Sequence, residues 1–211
     1  RVQVIPGRLV AAAVEQYPKT RDWDWSVALI DGPETVNAWC MAGGRMAVYS
    51  GLFEKLKLTD AEFAQIMGHE IAHALANHTA EQMSVAMATS AGVIAAGVAS
   101  DNTGATLAGA ALAAQLAIQL PNSRTAESEA DAIGIELAAR AGYEPRAAVT
   151  LWEKMEAEGG GGPVEFLSTH PSPGNRRARL QSMVPAMEQI QRTGFGKPWP
   201  VDIIREGSKL P

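Results

Sequence analysis

The segment His69-Glu70-Ile71-Ala72-His73 constrains this chain more than any other feature. A step of four residues along an α-helix returns to nearly the same face, roughly 40° off, so His69 and His73 present two imidazoles to one point in space. Such a pair is half of a metal site. Glu70 stands one step round from His69, where its carboxylate reaches a metal-bound water without taking a coordination position, and that is where a general base belongs. The helix is signalled upstream as well: Thr59-Asp60-Ala61-Glu62 fits a capping box, in which the Thr hydroxyl and the Glu side chain satisfy free amides at a helix start.

Two imidazoles leave zinc under-coordinated, because catalytic zinc takes three protein ligands plus water. The single cysteine, Cys40, excludes a Cys-rich site and an internal disulfide, so the remaining ligand is His or carboxylate. Glu127 is the candidate. It falls on a separate predicted helix with Asp131 four residues on, so the two carboxylates share a face while Glu129 points roughly the opposite way. Ligand histidines usually donate their second ring N–H to a carboxylate or carbonyl, and Asp131 is placed to do this for His69. A surface pair of acids is the alternative reading.

His78 follows His73 by five residues, roughly 140° round a helix, and is expected to point away from the metal, either at the helix end or in support behind a ligand rather than as a ligand itself. Gly68 costs about 1 kcal/mol against Ala in a helix interior, so a substrate-binding edge strand or a tightly packed helix is expected to pass close to it. His170 lies in the loop Ser168-Thr169-His170-Pro171-Ser172-Pro173, which could bring it into the cleft. Two roles are open to it: donor to a developing oxyanion, with Tyr143 as a second choice, or occupant of the fourth zinc position until substrate displaces it. Arg176 either faces the substrate carbonyl, pairs with a carboxylate near the site, or is a solvated helix arginine.

Hydrophobic residues make up 46% of the 211 and charged residues 19%, which excludes disorder and suits one compact unit, residues 1–211, with a tail at 196–211. The net charge of −5 offers no basic face to nucleic acid. Helices are expected from Arg8 to Tyr17, from Thr59, from Asn122 to Ala141, from Pro145 to a mobile glycine run at Gly159 to Gly162, and from Asn175. Strands are expected at Trp25 to Ile30, Val36 to Met41 and Arg45 to Ser50, with Gly43-Gly44 between the last two. The fold class is α+β, mainly helical, with a small antiparallel sheet. From Ser84 to Leu120 the only charge is Asp101, which reads as a buried helical hairpin or a surface touching membrane, its arms being about 15 to 17 residues where roughly 20 span a bilayer. The chain starts at Arg1, with no charged and then apolar leader, and reads as a processed or trimmed form.

The motif set resembles the zinc metallopeptidase family that includes HtpX, the BepA-like periplasmic proteases, the mitochondrial Oma protease and the CAAX prenyl proteases. The resemblance rests on His69 to His73, on Ser123-Arg124-Thr125-Ala126-Glu127-Ser128-Glu129-Ala130-Asp131, on Thr169-His170-Pro171 with Arg176, and on Asn37-Ala38 and Gly43 to Leu52. It implies a zincin-like gluzincin fold, one zinc held by His69, His73 and Glu127, Glu70 as catalytic base, and His170 with Arg176 as transition-state or loop-gating residues. The expected activity is endopeptidase cleavage of unfolded or misassembled envelope proteins, with a chaperone or assembly factor of latent protease activity as the rival. A bacterial periplasmic or outer-membrane-associated location, with an outer-membrane or membrane-protein partner, is implied by the soluble members.

Overall fold

The computed structural model describes residues 1–78, 80–81, 84, 122–159, 165–171, 175–194 and 197–204. The hairpin expected from Ser84 to Leu120 and the glycine run beyond Gly159 lie outside them. The described helices are α1 (Val4–Gln16), α2 (Gly51–Leu56), α3 (Asp60–Leu75), α4 (Arg124–Arg140), α5 (Ala147–Gly159), α6 (Glu165–Thr169) and α7 (Arg176–Gln191). The strands are β1 (Ser26–Ile30), β2 (Ala38–Cys40), β3 (Arg45–Tyr49) and β4 (Asp202–Ile204), and a 3-10 turn spans Pro18–Asp22. The fold is mainly helical with a small sheet, as the sequence pattern leads one to expect.

The sheet is mixed where an antiparallel one was expected. Its order is β2-β3-β1-β4. Around Gly43 and Gly44, both at positive φ, β2 and β3 form the expected antiparallel hairpin, with Trp39 opposite Ala47. The strand β1 runs parallel to β3 instead, Ala28 beside Ala47, because the chain crosses β3 after Ile30 and returns along its far side as β2. On the other flank β1 pairs in parallel with β4, Val27 beside Ile203, so part of the expected tail is a strand. The start of α1 at Val4, earlier than expected, is tolerated because Pro6 falls in the first turn, whose N–H groups need no helical partner.

The helix α3 sits at the centre. Every residue from Glu62 to Ala74 is buried, and the helix packs against α1, α4, α5 and β2. A helix covered all round needs apolar or small side chains on every face, which Phe63, Ala64, Ile66, Met67, Ile71, Ala72 and Ala74 supply. Its polar exceptions are Glu62, Gln65, His69, Glu70 and His73. The capping box forms as expected: Thr59 N donates to Glu62 Oε2 at 2.8 Å, and Glu62 N donates to Thr59 Oγ1 at 3.2 Å. Glu62 also accepts from Thr150 and Lys154 of α5, which fixes the entry of α3 against that helix.

Candidate metal centre

His69 and His73 lie on the face of α3 that meets α4, and the crossing is set by two glycines. A Cβ on Gly68 would stand 2.7 Å from the Gly134 carbonyl oxygen, and one on Gly134 would stand 2.8 Å from His69 N, so only the missing side chains permit the approach. Of the two neighbours expected for Gly68, it is the packed helix that is found. Ser123 caps α4 by accepting from Ala126 N, and the first turn then brings Glu127 over the two imidazoles.

The imidazoles of His69 and His73 face each other through Nε2 at 3.1 Å. Glu127 closes the set, with Oε2 at 3.3 Å from His69 Nε2 and Oε1 at 3.2 Å from His73 Nε2. A fourth group joins them: His170 Nδ1 lies 3.0 Å from Glu127 Oε1 and 3.2 Å from His69 Nε2. Among the described residues these four, all buried, form the cluster able to hold a metal ion. The separations, 3.1 to 3.2 Å from His69 Nε2 to His73 Nε2 and to His170 Nδ1 and 3.0 to 3.2 Å from Glu127 Oε1 to His170 and His73, are of the size found between ligand atoms that each stand about 2 Å from one ion. Glu127 Oε2 is buried with no partner in hydrogen-bond geometry among the described residues, although Arg176 Nη1 and His69 Nε2 stand 3.1 and 3.3 Å away, so its lone pairs are still open to an ion. The donor set and its spacing therefore fit zinc.

Charge in the cluster is arranged for a cation. Burial would lower the His69 pKa, but hydrogen bonds to Asp131 and Glu127 outweigh it and bring the imidazole to about 9. Burial takes His73 the other way, to about 3. Burial would raise Glu127, yet hydrogen bonds from His170, His69 and His73 hold its carboxyl well below the usual range. The proton on His69 thus stands where the charge of a metal would be, and the two compete. Asp131 accepts from His69 Nδ1 at 3.1 Å, which leaves Nε2 for the metal.

Glu70 points into the same space, and its Oε1 is 3.3 Å from His170 Nε2 without hydrogen-bond geometry. Burial pushes its carboxyl up, toward the range a general base needs. His170 is seated by several contacts: its ring stacks on Phe166 at 4.3 Å, its backbone N donates to Phe166 O, and Asn122 N donates to Thr169 O beside it. Arg176 is fully buried. It reaches Asp131 Oδ1 with Nη2 at 2.5 Å and Glu127 Oε2 with Nη1 at 3.1 Å, while its Cζ lies 3.7 Å from the centre of the Trp152 ring. Of the three options for this arginine, the structure places it on carboxylates. Tyr143 is elsewhere, its ring under Arg8.

Sequence reasoning did not mark Arg179, which donates to Asp131 Oδ2 at 2.5 Å and to Ser128. Its spacing of three from Arg176 on a helix was the available signal. Trp152 was placed on its helix but given no role, and nothing local distinguishes it from a core tryptophan. His78 is not in the ligand cluster, but it touches His73.

The model of peptidase family M48 matches residues 3–184. The chain is 39% identical over 167 residues to a mitochondrial metalloendopeptidase OMA1 of Arabidopsis thaliana, covering 78% of this chain and 32% of that protein. It is 34% identical over 184 residues to the OMA1 of Schizosaccharomyces pombe, covering 85% and 53%. The beta-barrel assembly-enhancing protease of Escherichia coli is 31% identical over 174 residues, covering 76% and 35%. This chain therefore spans a third to a half of the length of these relatives. A match that long, falling across the helices that supply His69, Glu70, His73 and Glu127, places the chain in peptidase family M48.

Proposed function

We propose that this chain is a zinc-dependent metalloendopeptidase with one zinc held by His69, His73 and Glu127 and with Glu70 as its base. The observation that carries the reading is the buried cluster of donors close enough to share one ion, with the Glu70 carboxylate beside it. When bound, zinc supplies the Lewis acidity that makes water a nucleophile near neutral pH and polarises the peptide carbonyl. Glu70 takes the proton from the attacking water and returns it to the leaving amine, and burial raises its carboxyl, the direction that favours a base. Asp131, beside His69 Nδ1, would leave the Nε2 lone pair free for the ion, and Arg176 lies between the two buried carboxylates so that Glu127 and Asp131 do not repel one another.

The same geometry supports a latent state. His170 fills the fourth corner and reaches Glu70 with its other nitrogen, so it stands where water and substrate must enter. This favours the plug over the oxyanion donor, and it gives the assembly-factor reading a basis: the enzyme is closed until something displaces His170. The substrates we propose are unfolded or misassembled proteins of a bacterial envelope, reached in the periplasm or at the outer membrane with a membrane-protein partner. Likeness to a protein called a beta-barrel assembly-enhancing protease supports that choice. Likeness to mitochondrial metalloendopeptidases makes an organelle the competing location. Among the described residues no helix is long and apolar enough to cross a membrane.

Casein digestion by the wild type and by Glu70→Gln, with zinc measured on the same samples, tests the core of this reading. Chelator-sensitive cleavage by the wild type alone, with one zinc in each, is the expected result. Cleavage by the Gln variant would overturn the role of Glu70, and zinc-free protein in both would overturn the centre.

A further inference from the structure

His69 has its orienting carboxylate in Asp131, but no carboxylate was foreseen for the other ligand imidazole. Its partner is His78. The residue before it, Asn77, has φ of 60°, a left-handed conformation that ends the regular period of α3 and folds the chain back. His78 consequently lies under His73 rather than 140° round the helix. The two rings are 5.1 Å apart and inclined at 68°, with Nδ1 facing Nδ1 at 3.1 Å. On its far side His78 Nε2 is 3.3 Å from Glu129 Oε2. The His78 side chain is 9% exposed and that of Glu129 56%, so the row runs from the metal cluster outward to solvent.

We propose that His78 is the positioning residue of His73, held in the required tautomer by Glu129. An ionised carboxylate only accepts hydrogen bonds, so Glu129 places the proton of a neutral His78 on Nε2. The His78 Nδ1 is then a lone pair and accepts from His73 Nδ1–H. A His73 proton on Nδ1 leaves the Nε2 lone pair facing His69 Nε2 and Glu127, which is where a metal ion must be met. With the tautomer of His78 reversed, two N–H groups would confront each other at 3.1 Å, or His73 would carry its proton toward the metal. The row therefore selects both the ring angle and the protonated nitrogen of one metal ligand. It does so from an acid on the exposed side of α4, the helix whose buried side supplies Glu127.

This role rests on the proposed metal centre, and the test separates the two. Zinc affinity is measured by competition with a chromophoric chelator for the wild-type full chain, His78→Phe and His78→Asn, with circular dichroism on each. Long-range ¹⁵N–¹H spectra of the zinc-loaded wild type report the His78 tautomer. His78→Phe keeps the bulk but loses the acceptor, and zinc affinity should fall about 10- to 100-fold. His78→Asn places Oδ1 where Nδ1 stood, accepts the same hydrogen bond, and should recover most of that loss. The wild-type spectrum should show the His78 proton on Nε2. A His78→Phe protein with wild-type affinity, an Asn variant no better than Phe, or a His78 proton on Nδ1 overturns the role while leaving the metal centre intact. A wild type that binds no zinc overturns the centre and this role with it.

Discussion

Gly68 and Gly134 are in backbone contact where α3 crosses α4, with room for a side chain on neither. That contact fixes the distance between the helix carrying His69 and His73 and the helix carrying Glu127 and Asp131. Three of the four clustered ligand atoms depend on it.

A methyl group at this crossing must push the helices apart. Gly134→Ala should cost about 1 to 3 kcal/mol by overpacking, although alanine is the better helix former in isolation. Because ligand geometry tolerates shifts of only about 0.5 Å, the same substitution should also weaken zinc binding. Urea denaturation of the chelated protein reads the first effect, and chelator competition on the loaded protein reads the second. Loss of zinc with no loss of stability would contradict the mechanism, since both are assigned to one displacement.

Much of this site was legible because its signals are local. The spacing of His69, Glu70 and His73 fixes a helix face, and the capping box at Thr59 and Glu62 fixes where that helix begins. Glu127 and Asp131 share a face by the same arithmetic. What was not legible depends on contacts between distant segments. The strand β4 is three residues long in a proline-containing tail, and only its pairing with Val27 of β1 makes it a strand. The parallel pairing of β1 with β3 follows from a chain crossing that no dipeptide announces. His78 was displaced from its expected direction by one residue, Asn77, whose left-handed φ breaks the helical period on which the expectation was built.

Arg176 is expected to be needed for folding before it is needed for catalysis. It is buried between two carboxylates and stacked on Trp152, so Arg176→Leu removes the guanidinium that reaches both Glu127 and Asp131 and leaves, among the described residues, only the Arg179 guanidinium on Asp131. Breaking a buried ion pair by removing one partner costs about 3 to 5 kcal/mol. Arg176→Lys should recover only part of this, because an ammonium cannot span both acids and lie flat on an indole. Thermal melts of the chelated proteins give the order wild type, Lys, Leu. Saturating zinc should narrow the gaps, since the metal supplies positive charge to Glu127.

The pH response of the metal-free protein follows from His69. Its pKa rises from 6.5 unfolded to about 9 folded, so the folded state holds its proton more tightly. The resulting stability is fully present below pH 6.5 and is lost as pH rises through about 9. Zinc affinity runs in the opposite sense across the same window, because the metal must displace that proton. Titration calorimetry at pH 7.5 in buffers of different ionisation enthalpy should detect about one proton released per zinc bound. No release would place the proton elsewhere and remove His69 as the competing site.

The role of His170 is decided by the sign of one change. Its Nδ1 stands beside His69 Nε2 and Glu127 and its Nε2 lies near Glu70, so in the closed state we propose it would block both the metal and the base. His170→Ala should open the fourth position, raise peptide hydrolysis at subsaturating substrate and speed removal of zinc by a chelator. Phe166, stacked on the same ring and also against His69, should act mainly through His170: Phe166→Ala loosens the seat, and activity should rise there too, by less. If hydrolysis falls in His170→Ala while zinc content holds, the histidine serves the developing oxyanion instead, and the closed arrangement is a resting position from which it swings into use.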